Sequence, residues 1–298
     1  MMPAMGERAI RVRRAGALTT IQDCGRPGYA HLGVPRSGAL DAPAHHQANR
    51  LAGNPPAAPV LETTLTGVAV VAECDLTAAV TGAQAAVRVD GDAAPRGAAL
   101  TLRAGQLLEV RPAKSGVRSY LAFSGGVDVP PVLGSASADL LSGLGPANVA
   151  DGDVLPLGPP GGLDGHRGCA LGELPAGGAP AGLVVYPGPR HDWLASPGLA
   201  ALEDGPWTVS PDSNRVGLRL TGPPVRRRRG ELASEGLVCG AIQALPDGGL
   251  VLFLADHPTT GGYPVIAVLD PACLPACAQA RPGSRMTFRL APGPENID

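Results

Sequence analysis

The densest gathering of reactive side-chain types lies at Ser234-Glu235-Gly236, at Gly240-Ala241-Ile242-Gln243, and at Asp256-His257-Pro258-Thr259-Thr260-Gly261-Gly262-Tyr263. The last run directly succeeds an apolar stretch, Leu250 to Leu254. That order predicts a buried strand, whose end is a rigid place for a loop to present side chains. Two adjacent glycines, Gly261 and Gly262, can turn backbone N-H groups toward a developing oxyanion or a phosphate, with Thr259 and Thr260 as added donors. Asp256, Glu235 and Tyr263 are the candidates for moving protons, and Gln243 is a further substrate contact. A carboxylate at a strand end also serves simply to cap a turn, so Asp256 carries both readings.

A second cluster, Pro211-Asp212-Ser213-Asn214-Arg215-Val216-Gly217-Leu218-Arg219-Leu220, sets Asn214 and Arg215 at a turn before a strand. A guanidinium there can clamp a carboxylate or phosphate bidentately, whereas Arg219, alternating with leucines, reads as a solvated face. Near the N-terminus, Gln22, Asp23 and Arg26 sit among Gly25, Gly28, Gly33 and Gly38. They suit an acid-binding loop, or equally a structural turn joining Asp23 to Arg26. His45-His46 are adjacent on a predicted helix, about 100° apart, which makes a poor chelate, and no metal is expected. The six cysteines, Cys24, Cys74, Cys169, Cys239, Cys273 and Cys277, are scattered and read as free thiols. Arg226 to Arg229 read as a solvated hairpin tip. Gly-x-Gly-x-x-Gly, Walker and G-x-S-x-G motifs are absent from the sequence.

The elements that must hold these residues are strands. Alternating or β-branched runs recur at 68–72, 77–81, 86–89, 107–111, 118–123, 183–186, 207–210, 217–220, 249–255, 264–269 and 286–290, nearly all bounded by turn residues. Only two segments read as helices: one capped by Asp41 and ended by Gly53, the other capped by Asp270 with Pro271 in its first position and ending near Gln279. The expectation is a mainly β protein of two β-barrel-like domains with few short helices, spanning 8–157 and 183–290. A Gly/Pro-rich linker at 158–182 joins them, and residues 1–7 and 291–298 are loose ends.

With 24 Lys+Arg against 26 Asp+Glu in 298 residues, the net charge of -2 sets up no field for nucleic acid or an anionic membrane, and neither is expected as a partner. No apolar run approaches the ~18 residues of a spanning helix, and the first residues lack a signal-peptide core, so a cytoplasmic location is expected.

Several stretches together resemble the family called allophanate hydrolase subunit 2, the C subunit of 5-oxoprolinase, or the biotin-dependent carboxyltransferase family. They are TTIQDCGRPGYAHLGVPRSGALD, HHQANRLAGN, LETTLTG, YLAFSGGVDVPPVLGS, YPGPRHDW, SNRVGLRLTG, SEGLVCGAIQALPDGG and ADHPTTGGYPVIAV. The resemblance implies cyclophilin-like barrel units and a partner resembling subunit 1 (the B chain), with a third A chain in 5-oxoprolinase. It implies ATP-dependent ring opening of 5-oxoproline to glutamate, with ATP and Mg shared across the complex. Two further activities belong to the same resemblance. One is carboxyl transfer to urea or a related amide, with biotin arriving on another protein, or else the role of an allophanate hydrolase-associated subunit. The other is a non-catalytic module that sequesters its partner, as in a sporulation-linked kinase inhibitor antagonist. Where relatives carry Gly-Ser-x-Ser-Thr, this sequence has Gly134-Ser135-Ala136-Ser137-Ala138, which moves the expected chemistry toward Arg215 and the 256–263 loop.

Overall fold

The computed structural model describes residues 8–161, 182–195, 198–228 and 230–291. Residues 1–7 and 292–298, where loose ends are expected, most of the expected linker at 158–182, Cys169 and Arg229 lie outside the described residues. The described chain divides into two compact units, one of residues 8–26, 37–139 and 143–161, the other of 27–36, 140–142 and 182–291.

The first unit holds β1 (Ala9–Arg14), β2 (Thr19–Gln22), helix α1 (Ala42–Ala52), β3 (Val60–Thr64), β4 (Ala69–Ala72), β5 (Leu76–Val89), β6 (Asp92–Ala94), β7 (Ala99–Leu102), β8 (Leu107–Phe123) and β9 (Val154–Pro156). Hydrogen bonds link them into one sheet in the order β2-β3-β8-β4-β1-β9, while β5 pairs with β6, β7 and β8. Inward residues including Ile10, Val12, Val80, Leu108, Leu121 and Phe123 form its core. Burying each such side chain contributes about 1.5–3 kcal/mol against the chain entropy lost on folding. Helix α1 starts where the Asp41 carboxylate accepts from Ala44 N and stops at Gly53 in the left-handed region. Its Ala44, Ala48 and Ala52 pack on Val60, Ala79, Tyr120 and Ala122.

Four of the expected strands prove to be two. The runs at 77–81 and 86–89 are halves of β5, and those at 107–111 and 118–123 are halves of β8. The residues between them keep the two strands paired, with the register shifting at bulges from Gly82 to Val87. Gly82 has φ +84°, and a Cβ there would lie 2.3 Å from Arg118 O, so it marks a bulge and close backbone approach where a turn was expected.

The second unit comprises β10 (Leu183–Pro187), β11 (Trp207–Val209), β12 (Gly217–Thr221), β13 (Glu235–Gly236), β14 (Ala241–Ala244), β15 (Leu250–Phe253), β16 (Thr260–Gly261), β17 (Val265–Leu269), helix α2 (Leu274–Ala278), β18 (Arg285–Met286) and β19 (Phe288–Leu290). Eight strands run in the order β18-β11-β12-β15-β14-β17-β10-β19, and β13 and β16 form a separate ribbon. All pairs are antiparallel except β10 with β19. Fully buried Trp207 donates its indole N-H to Leu202 O at 2.9 Å, which satisfies its one polar atom. The second expected helix is shorter than its sequence suggests: Asp270 caps a 3-10 turn over Pro271–Cys273, and α2 occupies only Leu274–Ala278. The molecule is mainly β with barrel-like sheets, and the described residues contain two α-helices.

Candidate functional site

In the second unit, β12 and β15 pair with Gly217 opposite Phe253, which places Arg215, just before one strand, beside Asp256, just after the other. Arg215 Nε and Nη2 donate to Asp256 Oδ2 and Oδ1 at 2.9 and 3.0 Å. This is a two-pronged pair with side chains 1% and 0% exposed. Leu140 N donates to Oδ2 at 3.1 Å, and Asp256 N donates to Arg215 O at 3.1 Å, so backbone and side chains hold the pair from two directions. Asn214 Oδ1 accepts from Val216 N at 2.8 Å, closing the turn that aims Arg215. Both carboxylate oxygens of Asp256 are thus engaged as acceptors, and the pair acts as a rigid base for the 257–263 loop, which leaves the strand end at this point.

Within that loop His257 is buried, with Nδ1 2.7 Å from Pro258 O and its ring edge-on to Phe253. Thr259 O accepts from Leu237 N, and β16 then pairs with β13, Glu235 opposite Gly261. Buried Gln243 reaches across from β14 and donates through Nε2 to Tyr263 O at 2.8 Å. A Cβ at Gly261 would come within 2.8 Å of both Gln243 Nε2 and Leu237 Cδ1, so only a glycine allows the ribbon to lie this close. Thr260, Gly262 and Tyr263 remain exposed. Arg227 lies over the Tyr263 ring, 5.8 Å from its centroid, and Arg190 grips both Glu235 oxygens, with Nε 2.9 Å from each. That grip holds the Glu235 carboxyl below the usual carboxylate range, the Arg190 hydrogen bonds being the larger cause. Burial pushes the Cys239 thiol up to about 11. The structure therefore gathers Arg215, Asp256, Asn214, Gln243, Glu235, Thr259, Thr260, Gly261, Gly262 and Tyr263 into this unit, and adds Arg190 and Arg227. Arg190 was visible only as part of YPGPRHDW, and Arg227 only as part of the basic run.

In the first unit, Gln22, Asp23 and Arg26 are buried and adjacent. Asp23 Oδ1 accepts from Ser135 Oγ, Ser137 Oγ and Gly25 N at 2.6, 2.5 and 2.7 Å, and Oδ2 accepts from Ala136 N at 2.7 Å. Arg26 donates to the carbonyls of Val132 and Ser137. These two bonds tie it to the 132–137 loop. Gln22 Nε2 donates to Thr20 Oγ1 and Ala138 O, while its buried Oε1 has no hydrogen-bond partner among the described residues. The shortened serine motif is thus used for holding Asp23, and Ala138 contributes its carbonyl.

Alongside runs a buried network that the sequence did not single out. Tyr120 OH donates to Glu62 Oε2 at 2.8 Å and accepts from Asp41 N, and Arg118 pairs with Glu62. Burial first, then the Glu62 charge, pushes the Tyr120 phenol well above its ordinary value. His45 is pushed down to about 4 by burial and then by neighbouring His46. Cys24, Cys74, Cys239, Cys273 and Cys277 form no disulfide among the described residues.

Barrel-like sheets with charged pairs seated at strand ends define a mainly β protein whose candidate site lies at strand termini. The chain belongs to the carboxyltransferase domain family, subdomains A and B, whose model matches residues 32–290. It is 39% identical over 283 residues to the C subunit of 5-oxoprolinase from Escherichia coli (strain K12), covering 94% of this chain and 90% of that one. It is 32% identical to the urea amidolyase of Saccharomyces cerevisiae over 94% of this chain, but spans 16% of that protein. The crystal structure of TTHA0988 superposes with TM-score 0.83 at 36% identity, over 97% of this chain and 57% of that one.

Proposed function

We propose that this chain is the C-type subunit of an ATP-dependent 5-oxoprolinase, acting with a B-type and an A-type partner. The observation that carries this reading is the 39% identity to a 5-oxoprolinase C subunit along 90% of its length. A five-membered lactam resists water, so the reaction needs its oxygen converted to a leaving group. The lactam oxygen attacks the γ-phosphorus of ATP and ADP leaves. One water then adds to the ring carbon, the C–N bond breaks as nitrogen takes a proton, and γ-glutamyl phosphate forms. A second water releases phosphate and glutamate. In this scheme the exposed Thr260 and Gly262, with Thr259 and Gly261, face the charge that grows on the lactam oxygen. Tyr263 and Glu235 serve proton movement, and Gln243 holds the loop. Arg215 and Asp256 keep that loop in place from beneath, and Arg26, Asp23 and Gln22 keep the N-terminal loop in shape. ATP and its Mg are shared with the partner chains, in keeping with the lack of a Walker or Gly-x-Gly-x-x-Gly motif in the sequence.

The urea amidolyase relationship supports a second reading, carboxyl transfer from biotin carried on another chain to urea or a related amide. The two separate in one experiment: combine this chain with its genomic neighbours and measure glutamate from 5-oxoproline with and without ATP. ATP-dependent glutamate is expected. Biotin-dependent carboxylation of urea without glutamate would overturn the first reading, and tight complexes with neither activity would point to the sequestering module.

A further inference from the structure

Cys24, two residues past β2, and His45 and His46, on α1, are brought together although they lie in different motifs. The Cys24 sulfur and one ring nitrogen of each histidine all lie within 4.8 Å of one another. Cys24 Sγ and His46 Nε2 are 3.8 Å apart. In a tetrahedral zinc site with Zn–S ~2.3 Å and Zn–N ~2.0 Å, ligand atoms sit about 3.3–3.6 Å from one another. The first pair is almost at that spacing, and the third atom needs to close by at most about 1.2–1.5 Å.

Adjacency on the helix, which argued against a chelate of the two histidines alone, matters less here because the third ligand comes from another element. Their rings cross edge to face with centroids 5.5 Å apart. His45 supplies the independent observation. Its Nε2 lies 3.1 Å from Ala58 O, the position of an N-H donating to a carbonyl. Asn49 Nδ2 lies 3.4 Å from the same Nε2 but donates to Ala58 O at 2.8 Å, so Nε2 is taken as the N-H and Nδ1 as the lone-pair nitrogen; Nδ1 is buried and has no hydrogen-bond partner among the described residues. A carbonyl on the far ring nitrogen is how zinc-ligating histidines are oriented and kept neutral.

We propose that Cys24, His45 and His46 form a three-ligand site for a zinc-class divalent cation that fastens the end of β2 to α1. One thiolate and two imidazoles suit zinc, whereas magnesium and calcium require oxygen ligands. Binding releases the Cys24 thiol proton, since the ligand is the thiolate, and leaves a fourth position for water.

The test is a cobalt(II) titration of the full chain after treatment with a chelator, followed by zinc. The wild-type protein is expected to develop a thiolate-to-cobalt charge-transfer band at one equivalent, which zinc then bleaches. Cys24→Ala, at a half-buried position where little packing is lost, and His46→Gln should each weaken cobalt binding by at least about tenfold. Far-UV circular dichroism confirms that each remains folded. Zinc should raise the melting temperature of the wild type and leave that of Cys24→Ala unchanged. A folded wild-type chain that gives no band, or a band that persists undiminished in folded Cys24→Ala, overturns the proposal.

Discussion

Removing the Arg215 guanidinium would strand a carboxylate with no exposed surface. Arg215→Ala is expected to cost about 3–5 kcal/mol in denaturant unfolding, because an uncompensated buried charge is left behind. Replacing both partners by apolar residues should recover much of that loss, and single and double variants that simply add would contradict the coupling. In a reconstituted complex Arg215→Ala is also expected to abolish turnover; wild-type activity would remove Arg215 from the machinery of the site. The pair of Arg190 and Glu235 behaves differently because it is partly solvated. Glu235 titrates lower in the folded chain than in the unfolded one, so its contribution is present above the ordinary carboxylate pKa and fades as pH falls through the folded value. Arg190→Ala should bring the Glu235 titration, tracked by carboxylate NMR, back up to the ordinary range. The sequence showed every one of these charged residues, but not their partners. Arg215 and Asp256 are joined by the pairing of β12 with β15, and Asp23 by serines more than a hundred positions away. Cys239 was legible as a thiol, but only its burial shows that it stays protonated. At neutral pH it should resist iodoacetamide in the folded chain, and mass-spectrometric labelling at the unfolded rate would contradict this.

Among elements, the ribbon of β13 and β16 depends on a missing side chain. Gly261→Ala would push a methyl group against Gln243 Nε2 and Leu237, so the Gln243 bond to Tyr263 O must open or the ribbon must part. The expected result is a loss of activity in the reconstituted complex with a melting temperature close to wild type, since the eight-stranded sheet does not include this ribbon. A fully active variant would detach the ribbon from the site. The strongly apolar strands, β10, β12, β15 and β17, could be found from the sequence because their side chains alone justify burial. β1, β2 and β3 could not. All four residues of β2, Thr-Thr-Ile-Gln, are buried, with Thr19 bonded to Thr63 and Gln22 to Ala138, so its polar residues look like a loop until their partners are known. The long β5 and β8 were obscured for the opposite reason: glycine within a strand looks like its end.

For the molecule as a whole, mainly β class and paired barrel-like sheets were legible because strand-bounding turns recur along the entire sequence. The membership of each unit was not. Residues 27–36 and 140–142 group with the second unit although most of the first surrounds them in the sequence. A fragment of 182–291 would lack the Leu140 N-H that donates to Asp256, and is expected to unfold more readily than the same residues in the full chain, as read by hydrogen exchange at β12 and β15. Equal protection in the fragment would show that these segments contribute nothing to that sheet. The same division bears on how the protein is made. A ribosome delivers 27–36 and 140–142 long before the strands that complete their unit have been synthesised. The nascent chain must therefore keep two pieces waiting while the earlier sheet closes around its own core, and the final unit can form only near the end of translation.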